Sequence, residues 1–296
     1  MTSISQPERG RSNATAVALA IACTGIFSLI FVSGRFAGEL ASPLQIMFLR
    51  YAGGFLTVVA VALLQGETWF SLQSKLRWRH ALRALSGAFG GAAIIYGNAQ
   101  MPIVDVTAIS LLSPVFLILL GIVILSDRLT GWRMLGIAIS LAGAIAVVVS
   151  RGALTNADPS YLLPAAVVVA GSLSLAVEGL LIKILATADR PLVTLAHVNL
   201  FGMLILLVPA VLTWRSTGWI NLALLGIGPL AIFAQYLNIR ANMLAHVSVL
   251  APLSYTSLVF AALIGWLCFA ELPTPGVVLG ALVIVIGGAL LALSRR

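Results

Sequence analysis

Charged side chains are scarce in this sequence. Only 9% of its 296 residues are Asp, Glu, Lys or Arg, against roughly a quarter in ordinary soluble domains. Hydrophobic residues reach 60% and the mean hydropathy is +1.09, which excludes a soluble globular protein. Because a helix of about 20 apolar residues crosses the hydrocarbon core of a bilayer, the composition predicts an all-α integral membrane protein embedded in the lipid bilayer.

Residues that could carry catalysis or bind metal are also few. Cys23 and Cys268 fall inside apolar runs, where thiols usually pack, and they suggest no disulfide framework. His80, His197 and His246 lie in different segments, without the spacing of a metal or acid-base motif. The formal charge of +8 lies in the connections beside apolar runs, as orientation signals do. We therefore expect no enzyme activity, no metal, no cofactor and no nucleic-acid partner.

A long internal repeat is present instead. The stretch 98–151 returns without a gap at 242–295, an offset of 144 residues. Among the pairs that share a residue type at this offset are Ser110 with Ser254, Gly136 with Gly280, and Gly143 with Gly287. A repeat of this length indicates duplication. Two related halves around a shared interface are typical of transporters, so the repeat predicts one site between the halves.

Ten apolar runs of spanning length follow one another along the chain. They lie at 14–36, 43–64, 82–101, 103–125, 132–150, 161–183, 191–213, 219–239, 247–269 and 275–293. Each half holds five spans, and because five is odd, the second half must enter the membrane in the opposite direction. The sequence therefore predicts ten transmembrane helices in two inverted five-helix repeats: a tail at 1–13, a first repeat at 14–151 and a second at 152–296.

Basic residues are divided unevenly between the two sets of connections. With the N-terminus placed in the cytoplasm, 13 Lys and Arg residues, Arg83 among them, fall inside and three fall outside. The positive-inside rule then puts both termini in the cytoplasm, and we expect a multi-pass protein of the bacterial inner (plasma) membrane. Arg50 lies within the second span, where we favour a guanidinium that snorkels to the surface over one that binds a substrate carboxylate.

One acidic residue lies apart from the predicted connections. This residue, Glu178, is in the sixth span and shares a helical face with Gly171 and Ser174, at spacings i, i+3 and i+7. A carboxylate is costly within a membrane, so it usually faces an aqueous cavity or a partner. We weigh proton coupling or contact with a cation against a hydrogen bond that locks two helices together.

Polar residues in the fourth span favour a path through the membrane. Thr107, Ser110 and Pro114 share one face, and a proline there kinks the helix and frees a carbonyl. The alternative for each polar residue is a hydrogen bond between helices. The predicted substrate-binding residues are Ser28, Tyr96, Thr107, Ser110, Pro114, Ser174, Glu178 and Tyr255.

Short motifs in the two copies resemble a known family. They are Ser113-Pro114-Val115-Phe116 and Asp127-Arg128-Leu129 in the first copy, with Leu258-Val259-Phe260 and Glu271-Leu272 in the second. The chain resembles EamA-type members of the drug/metabolite transporter superfamily. This resemblance implies a central cavity lined by spans one, three, four, six, eight and nine. Members that the chain resembles export amino acids and related metabolites, including aromatic amino acids in the YddG-like group.

The expectation is a secondary transporter or facilitator that exports a small metabolite, an amino acid foremost, by alternating access. An exporter of drugs or of other metabolites is the first alternative. A polytopic membrane enzyme that modifies lipid is more remote, as is an assembly subunit that transports nothing itself. The expected partners are a small-molecule substrate and the bilayer, and we expect a monomer or a weak homo-oligomer.

Overall fold

Helices make up the regular structure of the chain. The computed structural model describes residues 6–37, 40–125, 131–150, 159–186, 188–216, 218–244, 250, 253–254 and 256–293, and these contain no β-strand. The helices are α1 (Gln6–Phe31), α2 (Ser33–Ala37), α3 (Pro43–Leu64), α4 (Arg77–Gln100), α5 (Ile103–Ser110), α6 (Leu112–Leu125), α7 (Gly131–Ser150), α8 (Pro159–Ala186), α9 (Pro191–Leu212), α10 (Ile220–Leu244), α11 (Thr256–Phe269) and α12 (Pro275–Leu293). A 3₁₀ helix, Trp69–Leu72, precedes α4.

Several helices have the length and composition of membrane spans. Within the described ranges, five stretches are long and apolar enough to cross a bilayer: Ala14–Ala37, Pro43–Leu64, Ser160–Ala186, Pro191–Leu212 and Ile220–Leu244. Shorter apolar helices accompany them. Large hydrophobic side chains such as Leu204, Leu222 and Leu279 stand exposed on the outside of the bundle, where lipid would cover them. The expected all-helical membrane architecture is confirmed in these terms, while the count of ten spans stays a prediction.

Local sequence explains where equivalent helices of the two halves begin. Pro43 and Pro191 each occupy the first turn of a helix, where the missing N–H is not needed and the fixed φ suits the helix. At α3, the Ser42 hydroxyl also accepts a hydrogen bond from the Gln45 amide at 3.1 Å. Both prolines therefore set a helix start, and α3 coincides with the predicted span 43–64.

The helices α7 and α12, which correspond to each other in the repeat, pack closely and antiparallel. A Cβ at Gly143 would lie 2.7 Å from the Gly280 carbonyl oxygen, and one at Gly287 would lie 2.6 Å from that of Gly136. Only glycine permits such close backbones. Adding 144 to position 143 gives 287, and subtracting 144 from position 280 gives 136. The second contact is therefore the first one with the two halves exchanged. The contact is thus symmetric about a local two-fold axis.

A second equivalent pair, α3 and α9, shows the same arrangement. A Cβ at Gly202 would lie 2.5 Å from the Tyr51 ring, and one at Gly54 would lie 2.4 Å from Asn199 Oδ1. The 148-residue offset between the two helix-starting prolines exchanges these two contacts as well. The pairs α7 with α12 and α3 with α9, each with one helix from either half, are therefore both related by a local two-fold axis.

Candidate functional site

A cavity of about 370 Å³ lies between the two halves. Its walls come from α1, α4, α5, α6, α8, α10, α11 and residues 250, 253 and 254. These elements correspond to the six spans that the family resemblance implied. Arg50 of α3 is an addition to that set. A volume of this size suits a small solute.

The break between α5 and α6 shapes one wall of the cavity. The helix ends at Ser110 and resumes at Leu112, and Pro114 is the third residue of α6. Proline has no N–H to bond the carbonyl of Ser110, and its ring would clash with that group in a continuous helix. The kink predicted for the fourth span is therefore present as a break. Ser110 and Pro114 both line the cavity.

Hydroxyl groups on the cavity wall donate back to their own helices. Ser28 donates to the Thr24 carbonyl at 2.9 Å, Thr107 to Ile103 at 2.8 Å, and Ser110 to Thr107 at 2.8 Å. Because each hydroxyl has one donor and two acceptor positions, what these groups retain for a ligand is acceptor capacity. They can receive a hydrogen bond from an ammonium or amide group.

Three charged side chains reach the cavity: Arg50 from α3, Arg83 from α4 and Glu178 from α8. Arg83 is 1% exposed and Arg50 is 5% exposed. The Nε of Arg83 lies 3.8 Å from Oε1 of Glu178, an ion pair that is longer than a hydrogen bond. The Arg50 guanidinium lies 4.1 Å from the centroid of the Tyr51 ring. Two cations and one anion leave this group with one net positive charge.

The carboxyl group of Glu178 occupies space that a glycine leaves free. A Cβ at Gly87 would lie 2.8 Å from the Glu178 carboxyl carbon. Gly87 is one turn beyond Arg83 on α4, so both residues face the same part of α8. The absence of a side chain at this position lets the carboxylate lie beside the arginine.

Several buried polar atoms on the cavity wall have no hydrogen-bond partner among the described residues. They are Nε of Arg50, Nε and Nη1 of Arg83, Oδ1 of Asn98 and Oε1 of Gln235. Buried polar groups are nearly always hydrogen-bonded in native proteins. This wall therefore offers both donors and acceptors to a ligand.

Two sequence-based interpretations of arginine are wrong. Arg50 does not snorkel to the surface, because it is buried against the cavity and its guanidinium covers the Tyr51 ring. Arg83 is not a cytoplasmic surface signal, because it is buried beside Glu178. Without Arg83, the thirteen inside basic residues become twelve against three. Both arginines are buried because the helix face that carries them packs against another helix. Hydropathy along a helix does not show which face does so.

The predicted site residues divide into two groups. Ser28, Thr107, Ser110, Pro114 and Glu178 come together on the cavity wall. Two others do not line it: Ser174 donates to the Ser86 carbonyl at 3.1 Å and so ties α8 to α4, and Tyr96 is half-buried on α4. Tyr255 lies outside the described residues.

Two of the three histidines meet, contrary to expectation. The rings of His80 and His197 stack with centroids 4.9 Å apart. Asp189 Oδ2 lies 2.8 Å from Nε2 of His80 and accepts a hydrogen bond from the Ser74 hydroxyl at 2.7 Å. Burial raises the pKa of Asp189, but the hydrogen bonds from Ser74 and His80 outweigh it and hold the pKa below its usual value. This cluster lies where α4 and α9 begin, and the contact between the helices is tertiary, so residue spacing could not reveal it.

A second ionic cluster lies at the opposite end of the helices. Arg35 of α2 pairs with Glu271, which follows α11, and its guanidinium lies 5.8 Å from the Phe269 ring centroid. The other carboxylate oxygen of Glu271 accepts a hydrogen bond from the Ile103 amide at the start of α5, at 3.1 Å. This acidic residue of the second motif thus ties three elements together. Its counterpart Asp127 lies outside the described residues.

The sequence profile of one protein family matches both halves. The profile of the EamA-like transporter family aligns with residues 14–149 and again with 162–293. The chain belongs to this EamA-like family. It is therefore a multi-pass membrane protein of the drug/metabolite transporter superfamily, which moves small metabolites.

Relatives of this EamA-like chain are named for different functions. A riboflavin transporter of Brucella anthropi is 24% identical, over 93% of this chain and 97% of its own length. The pseudopaline exporter CntI of Pseudomonas aeruginosa is 27% identical over 94% and 95%. An S-adenosylmethionine uptake transporter of Rickettsia prowazekii is 22% identical over 86% and 84%. A solved crystal structure with 18% identity matches 99% of both chains at a TM-score of 0.62, which shows only that the two chains share a fold.

Proposed function

We propose that the chain is a secondary transporter or facilitator that exports amino acids, aromatic ones among them, through the central cavity by alternating access. The observation that carries this proposal is the cavity itself. It is lined by both halves and holds one glutamate and two arginines, and both arginines have buried donors without a hydrogen-bond partner among the described residues. Amino acids carry a carboxylate and an ammonium group, and this wall offers partners for both.

The internal symmetry supports alternating access. Two pairs of equivalent helices pack antiparallel about local two-fold contacts, as inverted repeats require. Ser140 also donates to the Ile284 carbonyl, at 3.4 Å, and these two positions are themselves equivalent at the 144-residue offset. We accordingly propose the division into a tail at 1–13 and repeats at 14–151 and 152–296. One repeat moving against the other would expose the cavity to each side in turn.

The names of the relatives favour one alternative. They include a riboflavin transporter, an S-adenosylmethionine uptake transporter and a pseudopaline exporter. Relatives of similar identity thus move unlike metabolites, and their names include both uptake and export. Transport of another metabolite, in either direction, is therefore the second candidate.

Flux through the purified protein in liposomes tests the proposal. Radiolabelled amino acids, riboflavin and S-adenosylmethionine should be supplied separately, with protein-free liposomes as the control. We expect saturable movement of at least one amino acid above the control. Movement of riboflavin or S-adenosylmethionine without any amino acid would select the alternative, and movement of none by the folded protein would contradict transport by the chain alone.

Membrane orientation forms the final part of the proposal. Twelve basic residues against three support our proposal that both termini lie in the cytoplasm and that the membrane is a bacterial inner membrane. A reporter fused after Arg296 should be active in the cytoplasm. A fusion that is active only in the periplasm would show the opposite orientation, and every side labelled cytoplasmic would then be periplasmic.

A further inference from the structure

We propose that Arg83 and Arg50 together bind a carboxylate of the transported solute, and that this carboxylate takes the place of Glu178 beside Arg83. The inference rests on the proposed function, because it specifies what the transport cavity recognises. Its substrate class is an organic acid with one negative group, optionally accompanied by an ammonium group.

The donors that would hold the carboxylate are already in position. Arg83 is 1% exposed, and both its Nε and its Nη1 lack hydrogen-bond partners among the described residues. Arg50 is 5% exposed, with an unpartnered Nε. Desolvated guanidinium groups without acceptors are costly, and a carboxylate satisfies two donors of one guanidinium at once. A bound acid would therefore remove a penalty that the empty cavity carries.

The position of Glu178 makes it replaceable. Its carboxylate is 3.8 Å from Nε of Arg83, which attracts but does not form a hydrogen bond. The ligand could form the shorter bonds that Glu178 does not. Glu178 would then be available to an ammonium group on the same solute. An amino acid would in this way place its carboxylate beside Arg83 and its ammonium group beside Glu178.

Charge balance selects the carboxylate over a phosphate. Two arginines and one glutamate leave a net charge of +1 on this part of the wall, which a single carboxylate neutralises. A phosphate group brings about −1.5 to −2 at neutral pH, so it would overcompensate while Glu178 is ionised. This part of the wall therefore favours one carboxylate group over a phosphate.

Thermal stabilisation of the purified full-length protein in detergent tests this assignment. The probes are the common amino acids, then the amide and the deaminated acid of the one that stabilises most. We expect stabilisation by that amino acid, and the amide to require a concentration about tenfold higher or more, because it cannot accept the charged bonds. Equal stabilisation by acid and amide, no stabilisation by any amino acid, or stronger stabilisation by inorganic phosphate would overturn the assignment.

Matched variants on α4 and α8 identify the groups involved. Arg83→Lys keeps the charge opposite Glu178 and so retains the fold, but it loses the planar fork, and the amino acid should bind about tenfold more weakly. Arg79→Gln removes an exposed charge one turn away and should bind as the wild type does. Glu178→Gln should weaken the amino acid and spare the deaminated acid. Unchanged binding in Arg83→Lys, or an equal loss in Arg79→Gln, contradicts the proposal.

The inference and the proposed function fail in different ways. Carboxylate-dependent stabilisation without flux in liposomes would leave the acid site in place and remove transport. Flux of a solute without an acidic group, such as riboflavin, at equal rates in the wild type and in Arg83→Lys would leave transport in place and remove the acid site. Measuring stabilisation and flux on the same preparation separates the two.

Discussion

Charged groups in the cavity and charged groups at the ends of the helices are arranged differently. At the ends, each carboxylate that the structure describes in a cluster is satisfied: Glu271 receives Arg35 and a backbone amide, Asp189 receives His80 and a serine, and Glu67 receives Arg190 at 2.9 Å. In the cavity, Arg83 and Glu178 face each other at 3.8 Å.

The difference separates stability from recognition. A carboxylate whose hydrogen bonds are all made holds together the helices that supply its partners. If one partner is removed, the other is left desolvated without a hydrogen bond, which costs free energy. A buried guanidinium with unpartnered donors adds little to the stability of the protein without ligand, and it contributes strongly to the binding of a ligand that accepts its hydrogen bonds. We infer that the ends hold the helices together and that the cavity is left incomplete for its substrate.

Neutralising the cavity carboxylate should have the largest effect. In Glu178→Gln the shape is retained but the ammonium group of an amino acid loses a charge-assisted partner, so the apparent affinity should fall by about tenfold or more. Flux measured against substrate concentration and pH checks this. We expect the pH dependence of flux to remain. A variant that loses its pH dependence instead would assign proton coupling to Glu178, and wild-type behaviour in both measurements would remove it from the site.

Neutralising an end carboxylate should act on stability instead. Asp189→Asn weakens the bonds from Ser74 and His80, and we expect a loss of about 1–2 kcal/mol, with flux per folded molecule unchanged. The thermal midpoint in detergent checks the first part and liposome flux the second. A large loss of flux in folded Asp189→Asn would mean that this end also takes part in transport.

The same variant has a pH signature. Because the pKa of Asp189 in the folded protein lies below its ordinary value of 3.8, its contribution to stability is present above that pH and is lost as the pH falls through the lower, folded pKa. Asp189→Asn should therefore flatten the decline in stability at low pH. Glu67, whose pKa the hydrogen bond from Arg190 lowers, should account for part of the slope that remains. An unchanged slope would contradict this ordering.

Straightening the broken wall of the cavity should have a smaller effect. Pro114→Ala restores an N–H that can bond the Ser110 carbonyl, which favours one continuous helix in place of α5 and α6. We expect flux to fall severalfold while expression and thermal stability are maintained. Flux at the wild-type rate would show that the break is tolerated but not needed for transport.

Much of the fold could be predicted because it depends on composition and local signals. The predicted bounds of α3 and α12 agree with the structure, since Pro43 and Pro275 mark the helix starts and the apolar runs mark the lengths. The repeat predicted inverted halves, and the antiparallel packing of Gly143 on Gly280 is consistent with them. These features are encoded along one segment or between two similar segments.

The pairing of charges could not be predicted in this way. Arg50, Arg83 and Glu178 lie on three helices, and hydropathy does not encode which faces of those helices meet. The stacking of His80 on His197 was missed for the same reason. Gly87 leaves room for a large partner one turn from Arg83, but both the burial of that arginine and the identity of the partner are visible only in the structure.

One matched pair of substitutions tests the central distinction most directly. Arg83→Lys alters the buried guanidinium of the cavity, and Arg190→Lys makes the same change in the exposed pair with Glu67. The measurement is initial amino-acid flux per folded molecule in liposomes. We expect a loss of about tenfold or more for Arg83→Lys and wild-type flux for Arg190→Lys. Full flux in Arg83→Lys, or equal losses in both variants, would contradict the assignment of recognition to the cavity charges.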